Sequence, residues 1–261
     1  MTTVITLCSA ARLDHVRRQQ QFLATQPVRR VVVWLDPDPP PPFPGASVVH
    51  VPPGPHGMRL AAGRNRGAVH ADDLLVFLDA DCLPGPSLLA RYQSAAAAHP
   101  DAVLCGPVTY LPEGLRPVEP NALPSLTAPH AARPSPPDGE NVVAGPDDYR
   151  LFWSLSFAVT APTWTRLGGF DEAYEGYGGE DTDLAWTART AGIPLVWVGG
   201  AHAYHQYHPT SSPPWQHLDD ILRNGRLFAA RWGFWPMQGW LDAFAEAGAI
   251  RPTPTGWERS G

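Results

Sequence analysis

The sequence predicts an α/β protein, and three observations carry that expectation. Short apolar runs alternate with helical stretches at the spacing of a βαβ unit: residues 4–7, a helix over 13–25, then residues 31–35. The run Leu74–Leu78, LLVFL, holds no polar residue, as befits a strand covered on both faces of a parallel sheet. It stops abruptly at Asp79 and Asp81, where Pro84, Gly85 and Pro86 force a turn. Two carboxylates are thereby placed at the carboxyl end of a core strand, the edge at which open α/β sheets bind ligands.

The elements follow in order. Residues 4–7 read as the first strand, with Ser9 and Arg12 in the loop beyond it. The second strand, 31–35, ends at Asp36, and PDPPPPFPG after it cannot be helical because proline lacks the amide and clashes with the preceding turn. A short strand follows at 48–51. Ser9, Arg12 and Asp36 fall at one sheet edge, where they either meet a nucleotide base or simply end their strands. Residues 57–69, GMRLAAGRNRGAV, suit a helix interrupted at Gly63 and Gly67. It leads into the central strand, which brings Arg64 and Asn65 towards the edge carrying Asp79; the alternative is a solvated helix face for Arg64 and Arg66.

Residues 87–99 form a helix stopped by Pro100, and 103–111 resume strand character. From 112 to 148 periodicity is lost and nine prolines appear. A segment of that length is either a cover or acceptor-binding loop for the site or a passive insertion. Residues 152–160 read as a strand, followed by a short helical turn and the glycines of LGGFDEAYEGYGGED. The stretch 180–191 is helical, with acidic residues in its first turn and Gly192 at its stop. Residues 195–198 form the last core strand, which runs into GGAHAYHQYHP. Two helices over 214–232 and 237–249 end the chain, with Trp232, Phe234, Trp235 and Trp240 as packing residues.

Composition excludes several classes. With 261 residues, 44% hydrophobic and 17% charged, the chain has material for one large α/β domain or one domain with an appendage. All 19 basic residues are arginine, so phosphate loops and Schiff-base chemistry that need a lysine are ruled out. A net charge of −6 without a dense basic run gives no footprint for nucleic acid. Cys8, Cys82 and Cys105 make neither a disulfide framework nor a C-x-x-C pair, which favours a reducing compartment. The first residues show no basic region before an apolar run, and no 18-residue apolar stretch occurs, so no integral membrane segment is expected. The expected location is cytoplasmic, with peripheral contact with a membrane left open.

Closely spaced carboxylates such as Asp79 and Asp81 are hard oxygen donors of the kind that Mg2+ or Mn2+ prefers, which suggests a divalent ion holding a phosphorylated ligand. The plain alternative is a strand capped by acidic residues before an exposed turn. A nucleotide hydrolase needs a glycine-rich loop with lysine, and a phosphatase of the D-x-D type is expected to carry its motif near the amino terminus with a lysine later. Without the aspartates, His202, His205 and His208 read as a polar turn after a strand, or as a zinc site of the H-x-x-H kind that lacks its matching glutamate.

Three segments in this order, LLVFLDADCLP, LGGFDEAYEGYGGEDTDLAWTARTAG and AHAYHQYH, resemble the metal-dependent glycosyltransferases of the GT-A fold. The chain is family 2-like in general, and the second segment resembles the carboxyl-terminal part shared by β-galactosyltransferases and polypeptide N-acetylgalactosaminyltransferases. The resemblance spans roughly residues 1–235 and is strongest over 57–90 and 153–208. It implies a mixed, Rossmann-like sheet flanked by helices, with a GT-A domain over 1–210 and a helical carboxyl-terminal extension over 211–261. Within that domain, 1–110 would form the nucleotide-sugar half and 150–210 the acceptor half.

By the same resemblance Asp81 binds the metal and Asp79 lies near the ribose or sugar. His205 completes the metal site, and His202, at the position of a methionine ligand in galactosyltransferases, is an additional candidate. Glu180 and Asp181 match the acidic pair facing the acceptor, with Asp181 as general base. Arg12 and Asp36 lie where uridine contacts occur, although the first loop lacks the P-x-x-N signature. The function implied is transfer of a hexose or N-acetylhexosamine from a UDP-sugar to an acceptor hydroxyl, with inversion and with Mn2+ or Mg2+. The acceptor, whether saccharide, lipid-linked or small molecule, is not legible. The rival readings are a non-catalytic sugar-nucleotide or carbohydrate-binding protein of the same fold, and a metal-dependent phosphohydrolase.

Overall fold

The computed structural model describes residues 1–260. Its main sheet has eight strands in the order β3-β2-β1-β4-β9-β6-β10-β8. The first half is built by the expected crossovers: β1 (Thr2–Cys8), α1 (Leu13–Leu23), β2 (Arg29–Trp34), β3 (Ser47–His50), α2 (Leu60–Ala68) and β4 (Leu74–Leu78). All of these strands run parallel, with β1 paired on one side to β2 and on the other to β4. The continuous apolar runs have the expected cause, since β4 is buried along its whole length between two core layers.

Helix α2 differs from expectation at its glycines, which do not interrupt it. A side chain at Gly63 would press on Leu7 and Leu35, and one at Gly67 would run into Ile5. Glycine there lets the helix lie close against β1 and β2 and brings Arg64 to the edge of the sheet.

The second half makes the sheet mixed. After α3 (Leu88–Ala98), the region 103–111 is two strands and not one: β6 (Val103–Cys105) stays in the main sheet, and β7 (Val108–Tyr110) leaves it for a small sheet of order β5-β11-β7. The break falls at Gly106 and Pro107, where a side chain on residue 106 would collide with the carbonyl of Ala201. The other members of the small sheet, β5 (Cys82–Pro84) and β11 (Ala203–His205), are too short to show a period in the sequence. The proline-rich segment 112–148 carries a 3-10 turn at Pro120–Leu126 and an edge strand, β8 (Asn141–Val143), antiparallel to β10 (Leu195–Val198). β9 (Ser156–Thr160) runs antiparallel between β4 and β6, with Phe157 opposite Phe77 and their rings stacked at 4.5 Å. Helices α4 (Ala161–Leu167) and α5 (Glu180–Thr190) precede β10.

The chain ends in α6 (Leu218–Trp232), α7 (Gln238–Glu246) and a hairpin of β12 (Ile250–Thr253) and β13 (Gly256–Arg259) that the sequence reading did not foresee. Leu218, Ile221, Leu222, Leu241, Phe244 and Ile250 give this region an apolar core of its own. It grips the loop before α5. The Asn224 side-chain amide donates to the carbonyls of Glu175, Tyr177 and Gly178 at 3.0, 3.3 and 2.7 Å. Asp183 in α5 accepts from Arg231 and from the Trp232 indole, both at 2.7 Å.

Candidate active site

The carboxyl edge of β4 gathers most of the chemistry-bearing side chains. Asp81 lies in the turn between β4 and β5, and its Oδ1 is 3.5 Å from His205 Nε2 while Oδ2 is 3.3 Å from His208 Nε2. β11 sets this geometry: it pairs His205 with Cys82, and the Gln206 amide then donates to the Asp81 carbonyl at 2.7 Å. Arg12 Nε closes the other flank at 3.2 Å from Oδ2. Burial raises the Asp81 carboxyl, but the hydrogen bond from His208 and the charges of His205, His208 and Arg12 outweigh it and hold the group below its ordinary value.

The fit of a divalent ion can be judged from these donors. Ligand atoms of Asp81, His205 and His208 lie within 4.8 Å of one another, the one group of this kind among the described residues. The set combines a carboxylate, which suits Mn2+ or Mg2+, with two imidazoles, which also suit softer ions such as Zn2+ or Fe2+. His208 Nδ1 sits 3.2 Å from the Pro209 carbonyl, so a neutral ring donating there would turn its Nε2 lone pair to an ion in place of the hydrogen bond it gives Asp81, and His205 is stacked on Tyr110 with centroids 4.5 Å apart. His202 is placed elsewhere. Its Nε2 is 2.6 Å from the Thr109 hydroxyl in a buried pair, and burial lowers its pKa to about 4. It stands three residues before His205, but its side chain joins β7 where the expectation put it beside Asp81; His208 takes that place. The candidate His202 comes from the position of a methionine ligand in the resembling galactosyltransferases, and no signal in the sequence points to His208 as a partner of Asp81.

The second cluster is built around Arg64, which is 4% exposed and lies over the Phe170 ring at 5.0 Å. One guanidinium nitrogen is 3.3 Å from Asp79 Oδ1 and the other 3.2 Å from Glu180 Oε1. A single buried cation therefore ties the D-x-D strand to the first turn of α5. Asp79 is nevertheless raised to about 6, because burial and the neighbouring carboxylates of Asp81 and Glu180 outweigh Arg64. Glu180 is committed to Arg64, whereas Asp181 bonds only within its own turn, accepting from the Thr182 amide at 2.7 Å and from its hydroxyl. Burial, then the charge of Glu180, raises Asp181 to about 7. The pair is inequivalent: one carboxylate is locked and the other is half-buried with capacity to spare.

The remaining candidates divide. Asp36 accepts from the Ala10 amide and so shapes the loop carrying Ser9 and Arg12, with its carbonyl 2.8 Å from His50. Ser9 precedes a 3-10 turn and makes no capping bond with its side chain. Asn65 points away from the metal-side cluster and clasps the LGGFDE segment, donating to the Phe170 carbonyl at 2.9 Å and accepting from the Phe170 amide at 2.9 Å.

Two residues escaped the sequence reading because only tertiary structure reveals them. Buried Gln19 donates to the carbonyls of Asp79 and Cys82 at 2.7 and 2.9 Å, fixing the D-x-D turn from α1. Arg133, in the proline-rich segment, is 5% exposed, and its guanidinium lies 5.2 Å from the Trp153 ring and 5.4 Å from that of Trp197. None of its side-chain nitrogens has a hydrogen-bond partner among the described residues. A cation–π contact is worth about 0.5–2 kcal/mol, while withdrawing an ion from water costs several kcal/mol, so the two indoles do not by themselves offset its burial.

Residues 141–209 match the family model described as the N-terminal domain of galactosyltransferase. Validoxylamine A glucosyltransferase of Streptomyces hygroscopicus subsp. jinggangensis is 33% identical over 165 residues, 54% of this chain and 37% of that protein. Chondroitin synthase of Escherichia coli is 26% identical over 176 residues, 59% of this chain and 26% of that protein. The aligned regions thus span between about a quarter and two fifths of these relatives. Among solved structures, S. aureus TarS 1-349 in complex with UDP-GlcNAc superposes with a TM-score of 0.60 at 12% identity, over 88% of this chain and 66% of that one. GalNAc-T7 with UDP, GalNAc and Mn2+ gives 0.56 at 14% identity, over 88% of this chain and 50% of that one. The chain has the GT-A glycosyltransferase fold, with a galactosyltransferase-type segment in its second half.

Proposed function

We propose that this protein transfers a hexose or N-acetylhexosamine from a UDP-sugar to an acceptor hydroxyl, with inversion at the anomeric carbon. The observation that carries the reading is the pairing of two clusters along one sheet edge. Asp81, His205 and His208 offer a divalent-ion site, and Arg64 bridges from Asp79 to the α5 turn that holds the free carboxylate of Asp181. Mn2+ or Mg2+, held by those three residues, would supply Lewis-acid stabilisation of the departing diphosphate.

The chain's own residues do the rest. Arg12, beside Asp81, adds a fixed positive charge near the diphosphate, and Asp79, oriented by Arg64, is placed to accept from hydroxyls of the donor. Glu180 is held by Arg64 as a positioning group. Asp181 takes the proton of the acceptor hydroxyl while the oxygen's electron pair forms the new bond to the anomeric carbon; the old carbon–oxygen bond breaks, and UDP leaves with its electrons. A positioned base of this kind contributes roughly 10² to 10⁴ in rate. The relatives named glucosyltransferase and synthase and the UDP-bound neighbours support the reading.

The test is UDP release from UDP-sugars in the presence of Mn2+, first by the parent and then by Asp181→Asn. Turnover lost with UDP-sugar binding kept is expected. Turnover kept in Asp181→Asn but lost in Glu180→Gln would reverse the two roles. A protein that binds UDP-sugars without transferring or hydrolysing them under any acceptor condition would be a binding module, and one that releases inorganic phosphate would be a phosphohydrolase.

A further inference from the structure

We propose that Arg133 is the recognition residue for an oxyanion, a carboxylate or phosphate, carried by a sugar substrate outside the UDP diphosphate. The inference rests on the glycosyltransferase reading for the identity of the ligand, though not for the existence of the site. Trp197 lies at the carboxyl end of β10, and the chain reaches Trp153 just before β9, which enters the sheet antiparallel at the same edge. The Arg133 guanidinium lies over both of these rings, 5.2 Å from Trp153 and 5.4 Å from Trp197. A continuous run of rings links it to the metal-side cluster: His205 stacks on Tyr110, Tyr110 meets His130 at 5.4 Å, and His130 meets Trp153 at 5.1 Å.

The guanidinium is buried, charged and without a hydrogen-bond partner on any of its nitrogens. A planar fork of five donors matches a carboxylate or phosphate in bidentate fashion, and contact with aromatic faces restricts how such a fork can move. Fully buried donors without an acceptor are rare in native proteins, and a functional role or an ion that satisfies them is among their explanations. The cover is the residue's own segment, residues 127–138, which bears Pro129, Pro134, Pro136 and Pro137 and is mostly exposed on its outer side. Ligand entry therefore requires this segment to lift, and ligand binding holds it down. The oxyanion can belong to the donor sugar, as in a nucleoside diphosphate uronate, or to the acceptor; both present the same chemistry.

Calorimetry separates the sources. The parent, Arg133→Met and Arg133→Lys, each checked by thermal unfolding, are titrated with UDP-glucuronate and UDP-glucose in the presence of Mn2+. The UDP-loaded and ligand-free proteins are then titrated with inorganic phosphate and with free glucuronate. A preference of tenfold or more for UDP-glucuronate, lost in Arg133→Met and reduced in Arg133→Lys, places the oxyanion on the donor. Equal donors, with phosphate or glucuronate binding that Arg133→Met abolishes, place it on the acceptor. If Arg133→Met does not fold, the lysine variant decides, since it keeps the charge and loses the fork. No anion binding in the parent, or binding that both variants retain, overturns the proposal. Failure of UDP itself to bind would count against the glycosyltransferase reading alone, because the phosphate and glucuronate titrations of ligand-free protein read Arg133 independently.

Discussion

Replacing Arg64 by methionine removes the cation that joins the two halves of the candidate site while keeping most of its apolar stem. The magnitude follows from exposure. Glu180 is left with its side chain 9% exposed and no counter-charge, which places it in the class of broken buried pairs that cost about 3–5 kcal/mol. Asp79 keeps 34% of its side chain exposed and, already lifted to about 6 by partial burial and its neighbouring carboxylates, can take up a proton when the cation goes, so it adds less than Glu180. Arg64→Met is therefore expected to destabilise by roughly 3–5 kcal/mol at pH 7.5, measured by urea unfolding. Protonation of the stranded carboxylates removes the unpaired charge, so the deficit should shrink as the pH is lowered to 5. The double variant Arg64→Met, Glu180→Gln should recover a substantial part of the loss, because an amide has no charge to strand. A deficit below about 1 kcal/mol at pH 7.5, or one that stays constant with pH and is not relieved in the double variant, would refute the bridging role given to Arg64.

Further outcomes are expected. Because Asp181 is raised to about 7 and acts ionised, kcat/KM should climb with pH through that region and fall tenfold per pH unit well below it; a rate flat from pH 5 to 8 would remove Asp181 as the base. The same raised value means that Asp181 favours the folded state below its unfolded pKa, a contribution lost as pH rises through about 7, so Asp181→Asn should gain stability relative to the parent above pH 7. His208→Ala should weaken Mn2+ binding by tenfold or more in calorimetry, while His202→Ala should leave it unchanged; the opposite pattern would restore His202 as the ligand. Non-proline amides of residues 112–148 should gain hydrogen-exchange protection with donor and metal, and unchanged exchange would leave that segment a passive insertion.

The parts of this fold that were legible were those dictated by local pattern. β4 needs apolar residues on both faces because core layers cover both, and that need leaves the run LLVFL in plain sight. The break at Gly106 was hidden because its cause is the carbonyl of Ala201, almost a hundred residues away. β5, β8 and β11 are three-residue strands, shorter than any period can report. At the site, Asp79 and Asp81 stand out at the end of an apolar strand, and Glu180, Asp181 and His205 are named through the resemblance to GT-A glycosyltransferases. His208, Gln19 and Arg133 could not be placed in the same way, because their meaning depends on partners that only the tertiary structure brings to them. Gly63 and Gly67 show the converse: read as breaks in a helix, they are the surface on which that helix reaches the sheet.

Calorimetric titration of a UDP-sugar into the protein, with Mn2+ and with chelator, tests the central claim most directly, since Asp81, His205 and His208 are assigned the one role that no other described group is arranged to fill. Binding should be at least tenfold tighter with Mn2+, and that difference should vanish in Asp81→Asn. Equal affinity with ion and with chelator in the parent protein would contradict the metal-dependent site on which the proposed transfer rests.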